Sequence, residues 1–566
     1  MNGPPTEIET RQLEELIQAV DDLRRRVTAL ESQSVPAFAN AAPSFEFAQP
    51  LTGFSTGLLA ALGRLLLGIA GAYLLRALTE GNLLPQLAGT LAGLVYAGAW
   101  LISAARVTSA NGPMTVFEAL TAGLIAGPLL WEATIRFHSL TPASAAAALA
   151  LFIVLGQVAA WRHDRAKVAG LAALAGSATA LALIIATLDA LPFTGALLIA
   201  AATIEFGAFR GHALNQRWII ALAVDFCAFL LIYISTRAEG LPDGYTPAPI
   251  PFVASIPIAL VGIYLTSTVA RTLGRGLSIA WFEIAQVAIS IALAMVYGLR
   301  VANVAGLIAM GATCLAAGVC GYLAAFGSRA ISSRNFHAYA AFGVLLASIG
   351  SFLILPSMIL TALWCILGLA ATAFGECTPS NTLRMHGAFY LAAAAAASGL
   401  LAYSTGRMSG AFDARMPLTA AAVLCAIAAT LAYGVVLRLR RARFPLWKDR
   451  FTAAILAALV CWSVVGLIAG WMIGTRQDVS LASMLRTGLI ASVAIGLAWF
   501  GSHWNLPELI WILYPWMIFG ALKLLTEDFR QGRPATLFVS LLLYGGTLIA
   551  LPRLLRRATH VFPDLS

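Results

Sequence analysis

Apolar runs of about 18–23 residues recur almost from Leu58 to the C-terminus. A helix of about twenty residues rises about 30 Å, the thickness of a bilayer's hydrocarbon core. No feature restricts the possible folds more. A soluble core has no room for so many such segments. Hydrophobic residues make up 60% of the chain and charged residues only 11%, where a soluble domain carries about 25% charged. Backbone groups in hydrocarbon must pair within the protein, and a helix pairs them within each segment. The expected fold is therefore all-α, a polytopic transmembrane bundle of about eighteen spans over residues 58–552. One run, 190–206, is short. Pro356 divides 336–355 from 357–376, while 385–404 and 506–525 each read as one span.

The net charge of +10 would suit a polyanion-binding surface, but the cations lie between the apolar runs. Arg162, Arg165, Lys167, Arg210, Arg217, Arg271, Arg275, Arg329 and Arg334 occupy alternate loops, followed by the dense stretch 438–450. Acids offset the remaining loops: Asp189, Glu239, Asp243, Asp478, Glu527 and Asp528. By the positive-inside rule this means an even span count with both termini cytoplasmic. The cations mark topology, and nucleic acid is excluded as a partner. The lipid bilayer is the expected environment. The polar start does not resemble a cleaved signal, so the first span is expected to direct insertion.

Residues 1–33 read as a cytoplasmic helix. Leu13, Leu16, Val20, Leu23, Val27 and Leu30 form an a/d seam, which predicts a homodimer contact through residues 6–33. The competing reading is an amphipathic helix on the membrane, with Arg24, Arg25 and Arg26 against anionic lipid. Residues 34–57, rich in Pro, Ala and Ser, read as a flexible tether, and 553–566 as a basic cytoplasmic tail. The seven cysteines show no metal-ligand spacing, and no cofactor is expected.

An ionisable side chain at the centre of a span costs about 2.5–3.5 kcal/mol on insertion scales. Glu118, Glu132, Glu205 and Glu508 lie within one turn of a span end, while Asp225 and Glu283 lie deeper. Gln286 shares a helix face with Glu283. In L-G-R-L-L-L-G-I-A-G-A-Y-L-L-R-A-L, Arg76 is one turn from the outer surface. Arg64 is held inside, at the depth of Glu118, Glu205, Asp225 and Glu283, one of which is expected to neutralise it. Arg486 could face Glu132. These groups either lock helices as ion pairs or line a polar cavity near Arg64, Asp225 and Glu283, open to the cytoplasm. The aromatic segment 499–516 holds His503, Trp504, Glu508 and Pro515. It reads as an interfacial belt around a short turn, or as a broken helix lining a site. The pairs Gly68/Ala72, Gly89/Gly93 and Gly343/Ala347 predict close helix packing.

The segments Gly63–Trp100 (G-R-L-L-L-G-I-A-G-A-Y-L-L-R-A-L-T-E-G-N-L-L-P-Q-L-A-G-T-L-A-G-L-V-Y-A-G-A-W) and Leu522–Gly546 (L-K-L-L-T-E-D-F-R-Q-G-R-P-A-T-L-F-V-S-L-L-L-Y-G-G) resemble a bacterial domain-of-unknown-function family. Its members are very polytopic predicted membrane proteins that often start with a short coiled coil. The resemblance implies a multi-pass protein of the bacterial inner membrane and brings no catalytic or binding residues.

The functional expectation is a transporter or a lipid or small-molecule translocator. The alternative is a non-catalytic scaffold acting through the coiled coil. An intramembrane transferase is a third class, but no H-E-x-x-H, G-x-S-x-G or phosphate-loop motif is present.

Overall fold

A computed structural model describes residues 52–107, 112–212, 217–329, 332–378, 380–409, 417–440, 447–473 and 478–559. All regular structure among the described residues is helical. The first nine helices are α1 (Thr52–Glu80), α2 (Gln86–Arg106), α3 (Gly112–Ile135), α4 (Pro142–His163), α5 (Ala166–Thr187), α6 (Ala190–Arg210), α7 (Arg217–Ser235), α8 (Ile250–Val269) and α9 (Trp281–Val301). Then follow α10 (Val304–Ser328), α11 (Ser333–Ile354), α12 (Ser357–Cys377), α13 (Asn381–Ala397), α14 (Leu400–Ser409), α15 (Ala420–Arg440), α16 (Trp447–Ile473), α17 (Val479–His503), α18 (Pro507–Lys523) and α19 (Pro534–Thr559). Among the described residues, 17 helices are long and apolar enough to cross a membrane, and α13 with α14 would make an eighteenth. The chain is an all-α multi-pass membrane protein.

Three boundaries differ from the sequence expectation. Helix α1 begins at Thr52, so residues 52–57 are helix and not tether. Helix α19 runs through Pro552 to Thr559, into the expected tail. The span expected at 385–404 is broken: α13 and α14 meet at 67°. Gly399 supplies the bend at φ +78°, a backbone region that costs glycine nothing. The Thr419 hydroxyl donates to the Ser398 carbonyl at 3.0 Å, meeting one group that the lost turn frees. The division at Pro356 falls where expected, between α11 and α12. The coiled coil over residues 6–33 lies outside the described residues.

The buried interior is dominated by alanine (Ala97, Ala104, Ala122, Ala172, Ala200, Ala228), while Leu67, Val95 and Ile185 face outward. Lipid tails are as apolar as leucine, so burying leucine gains little, and small residues let backbones approach. A Cβ on Gly318 would stand 3.0 Å from the Gly343 carbonyl oxygen, so α10 and α11 meet backbone to backbone. The expected small-residue positions Gly68, Gly89 and Gly93 likewise press on Thr121, Thr79 and Leu129.

One apolar cluster spans α2–α9, and two more occupy α12–α19. The α10–α11 pair lies between them in sequence and is tied to both. Tyr339 and Thr272 exchange a hydroxyl hydrogen bond at 2.6 Å, and the Trp364 indole donates to Ser351 at 3.0 Å. Two helix ends widen into π-turns, Ala270–Gly274 after α8 and Leu524–Asp528 after α18.

Candidate functional site

Among the described residues, most of the buried charges gather in three places. In the first, α1, α2 and α3 meet. Arg64 pairs with Glu118 at 3.0 Å, and the Ser103 hydroxyl donates to the same carboxylate at 2.7 Å. The Arg64 side chain is 55% exposed and that of Glu118 only 2%. The carboxylate is thus the enclosed partner, and the arginine reaches in from the rim. At the other end of these helices Arg76 contacts Glu80 at 3.2 Å and Glu132 at 2.9 Å, while Arg136 contacts Glu80 at 3.2 Å.

The second network surrounds the π-turn after α8. Arg217 opens α7 and lies 3.7 Å from Glu205 on α6 and 3.4 Å from Glu283 on α9. Arg271, inside the π-turn, also pairs with Glu283. The Ser267 hydroxyl donates to Glu205 at 2.6 Å, and the Ala280 amide donates to Glu283 at 2.8 Å. One face of the Arg217 guanidinium lies 4.3 Å from the Phe282 ring centroid. One turn further into α9, the Gln286 amide donates to both oxygens of Asp225 at 2.8 and 2.7 Å. The residues expected near one cavity therefore separate. Arg64 belongs to the first network, and Asp225 and Glu283 have partners of their own.

The third network is built on the π-turn after α18. Lys523 is 3% exposed, and Asp528 and Glu527 are 2% and 3% exposed. The Lys523 ammonium donates to the Ser483 carbonyl at 2.6 Å, the Ser483 hydroxyl at 3.0 Å, the Thr487 hydroxyl at 2.7 Å and Asp528 at 2.5 Å. It also lies 3.3 Å from Glu527. The Ser540 hydroxyl on α19 donates to Asp528 at 2.7 Å. Arg486 on α17 pairs with Glu527 and donates to the Arg407 carbonyl at 2.8 Å. Two cations face two carboxylates, so the charges cancel inside a buried site. Hydroxyls of α17 and α19 hydrogen-bond Lys523 and Asp528, the kind of pairing that buried charge requires.

No family model, curated protein or solved structure matches the chain. Its function is therefore read from its own geometry.

One sequence expectation is corrected by that geometry, and an open one is decided. Arg486 does not meet Glu132: Arg76 takes Glu132, and Arg486 takes Glu527. The segment 499–516 follows the first of its two readings, a short turn between two helices, and not the broken helix. Helix α17 ends at His503, Trp504–Leu506 turn with Asn505 at φ 54°, and α18 starts at Pro507 and continues through Pro515. There His503 stacks on Trp499, with ring centroids 5.1 Å apart. Glu508 is buried in the first turn of α18.

Sequence reading missed Lys523, Glu527 and Asp528, and also the buried pair Glu376–Arg384 at 3.1 Å. The available signal was K-L-L-T-E-D. Lysine and glutamate four apart share a helix face, and continuing the helix carries that face inside. Ending the span at 525 put both acids in a loop. The apolar span runs instead to Asp528.

Proposed function

We propose that this protein translocates a solute or lipid across the membrane, and that the elements which rearrange are the two π-turns. One observation carries the reading: each of two buried ionic networks is built on a π-turn, Arg271 and Glu283 at one, Glu527 and Asp528 at the other. A π-turn breaks the regular ladder and is common at functional positions. Ionisable groups within spans are costly and mark pathways or relays. Simple locking of helices would need neither the irregular backbone nor four charges at one point. An ion-paired cluster on a locally widened helix can exchange partners when the helix rewinds, which gives two discrete arrangements.

The reading is tested by substituted-cysteine accessibility in sealed vesicles of both orientations, on a background lacking the seven native cysteines. Cysteines at Ser290, one turn beyond Gln286, and at Ser483 are expected to react with a membrane-impermeant thiosulfonate. Glu283→Gln should change the side from which position 290 is reached. Positions 290 and 483 sealed from both sides, in both backgrounds, would overturn the proposal.

A further inference from the structure

Two cavities flank α3, and both touch Leu124, Pro128 and Glu132. One, of about 270 Å³, lies between α1, α2 and α3; the other, of about 540 Å³, lies between α3 and α5. We propose that together they hold one glycerophospholipid whose headgroup carries both a phosphate and a primary ammonium. One acyl chain would lie on each side of α3.

Four observations converge. First, the walls are apolar along their length: Ile69 and Ala72 line one cavity, Leu174 and Ala178 the other. Second, the depth suits one leaflet. The smaller cavity is lined from Ile69 to Thr79 on α1, ten residues or about 15 Å of helix rise, and half of a ~30 Å hydrocarbon core is about 15 Å. Third, the face of α3 between the cavities carries Leu124 and Trp131, which are exposed and so open sideways to lipid. Pro128, which has no amide hydrogen, leaves the Leu124 carbonyl without its helical donor at that wall. Fourth, Arg76 and Glu132 line the polar end of the smaller cavity, and an alternating chain of charge continues from them beyond the lining, Arg136–Glu80–Arg76–Glu132, with contacts of 3.2, 3.2 and 2.9 Å.

Equal numbers of cations and carboxylates do not select a simple anion. They suit a zwitterion, its phosphate shared by Arg76 and Arg136 and its ammonium donated to Glu132. Arginine meets phosphate with paired donors, and a carboxylate accepts from an ammonium. The four side chains are part-exposed, so exchanging partners with a headgroup needs no unpaired buried charge. The site does not depend on the transport reading, because its test reads occupancy.

The full-length protein is reconstituted in nanodiscs of phosphatidylethanolamine, phosphatidylglycerol and phosphatidylcholine in equal parts. It is then re-extracted in mild detergent, and the retained lipid is measured by mass spectrometry. Phosphatidylethanolamine is expected to be enriched about tenfold over the other two. Ala72→Phe and Ala178→Phe, which fill the two cavities without touching the charges, should each lower retention about tenfold. Glu132→Gln should keep bound phospholipid but lose the preference over phosphatidylglycerol. If a filled variant does not fold, quenching by brominated-chain phosphatidylethanolamine decides. It should dim the wild type, and the dimming should shrink in Trp131→Phe, because Trp131 lines the larger cavity. Bulk-ratio retention in the wild type, unchanged retention in both filled variants, enrichment of phosphatidylglycerol, or quenching that is absent or unchanged by Trp131→Phe would overturn the assignment.

Discussion

Burial decides what each charged pair costs to break. Glu118 is enclosed and its partner Arg64 is half-exposed, so the two halves are not equivalent. Arg64→Gln leaves a buried carboxylate with only the Ser103 hydroxyl, and an uncompensated buried charge is the expensive outcome. Glu118→Gln leaves an arginine that can extend to the headgroups. Thermal unfolding in one detergent should show Arg64→Gln as the more damaging change, by about 3 kcal/mol against about 1. The double variant should recover part of the loss. Equal losses would mean that Arg64 is held as tightly as Glu118. The four acids expected at Arg64's depth were legible in the sequence, because insertion cost makes a charge inside a long apolar run conspicuous. Which of them it meets was not legible. Helices α1 and α3 are brought together by tertiary packing, and Glu118 is 54 residues away. The same limit misassigned Glu132, which lies within reach of Arg76 on α1.

At the scale of elements, hydropathy locates helices and overlooks their irregularities. The π-turn after α18 exists because its ladder widens by one residue, which carries Glu527 and Asp528 inward toward Lys523 and Arg486. Thr526 sits in that turn with its side chain exposed. Deleting it should close the turn to a regular α-helix without turning the residues that follow, because a π-turn holds one residue more than the α-turn it replaces. The deletion variant should therefore melt close to wild type, whereas Lys523→Met, which leaves two buried carboxylates with one cation, should lose about 3 kcal/mol or more in thermal unfolding. A deletion as damaging as Lys523→Met would show that the network needs the widened turn itself. The break between α13 and α14 is a second irregularity with a local cause. Gly399 at φ +78° cannot be replaced by an L-residue without strain of about 1–3 kcal/mol. Gly399→Ala should lower the unfolding temperature, whereas Gly434→Ala, in the interior of a helix and with open space at its Cβ position, should not. The glycine is visible in the sequence, but its conformation is not, and the alanine run before it and the Leu-Leu-Ala after it read as one continuous span.

For the whole molecule, that break decides topology. If α13 and α14 cross together, the described residues hold eighteen spans; if they re-enter, seventeen. The two cases place the basic stretch after α15 on opposite faces. With the pair crossing, Arg438, Arg440, Arg441, Arg443, Lys448 and Arg450 share a face with Arg162, Arg165 and Lys167 after α4. With the pair re-entering, they fall opposite, beside the acidic loop containing Glu239 and Asp243. Cations near span ends favour the cytoplasmic face, so the charge pattern favours crossing, bend included. Position 240 and the C-terminus should then lie on opposite faces. A phosphatase fused after Gly240 should be active where one fused after Ser566 is inactive, with a fluorescent protein giving the reverse. The opposition between the two positions holds whichever face the N-terminus occupies, and which of them carries the active phosphatase reports that face. Matching signals from both positions would mean that α13 and α14 form a re-entrant loop, with the bend at Gly399 inside the membrane.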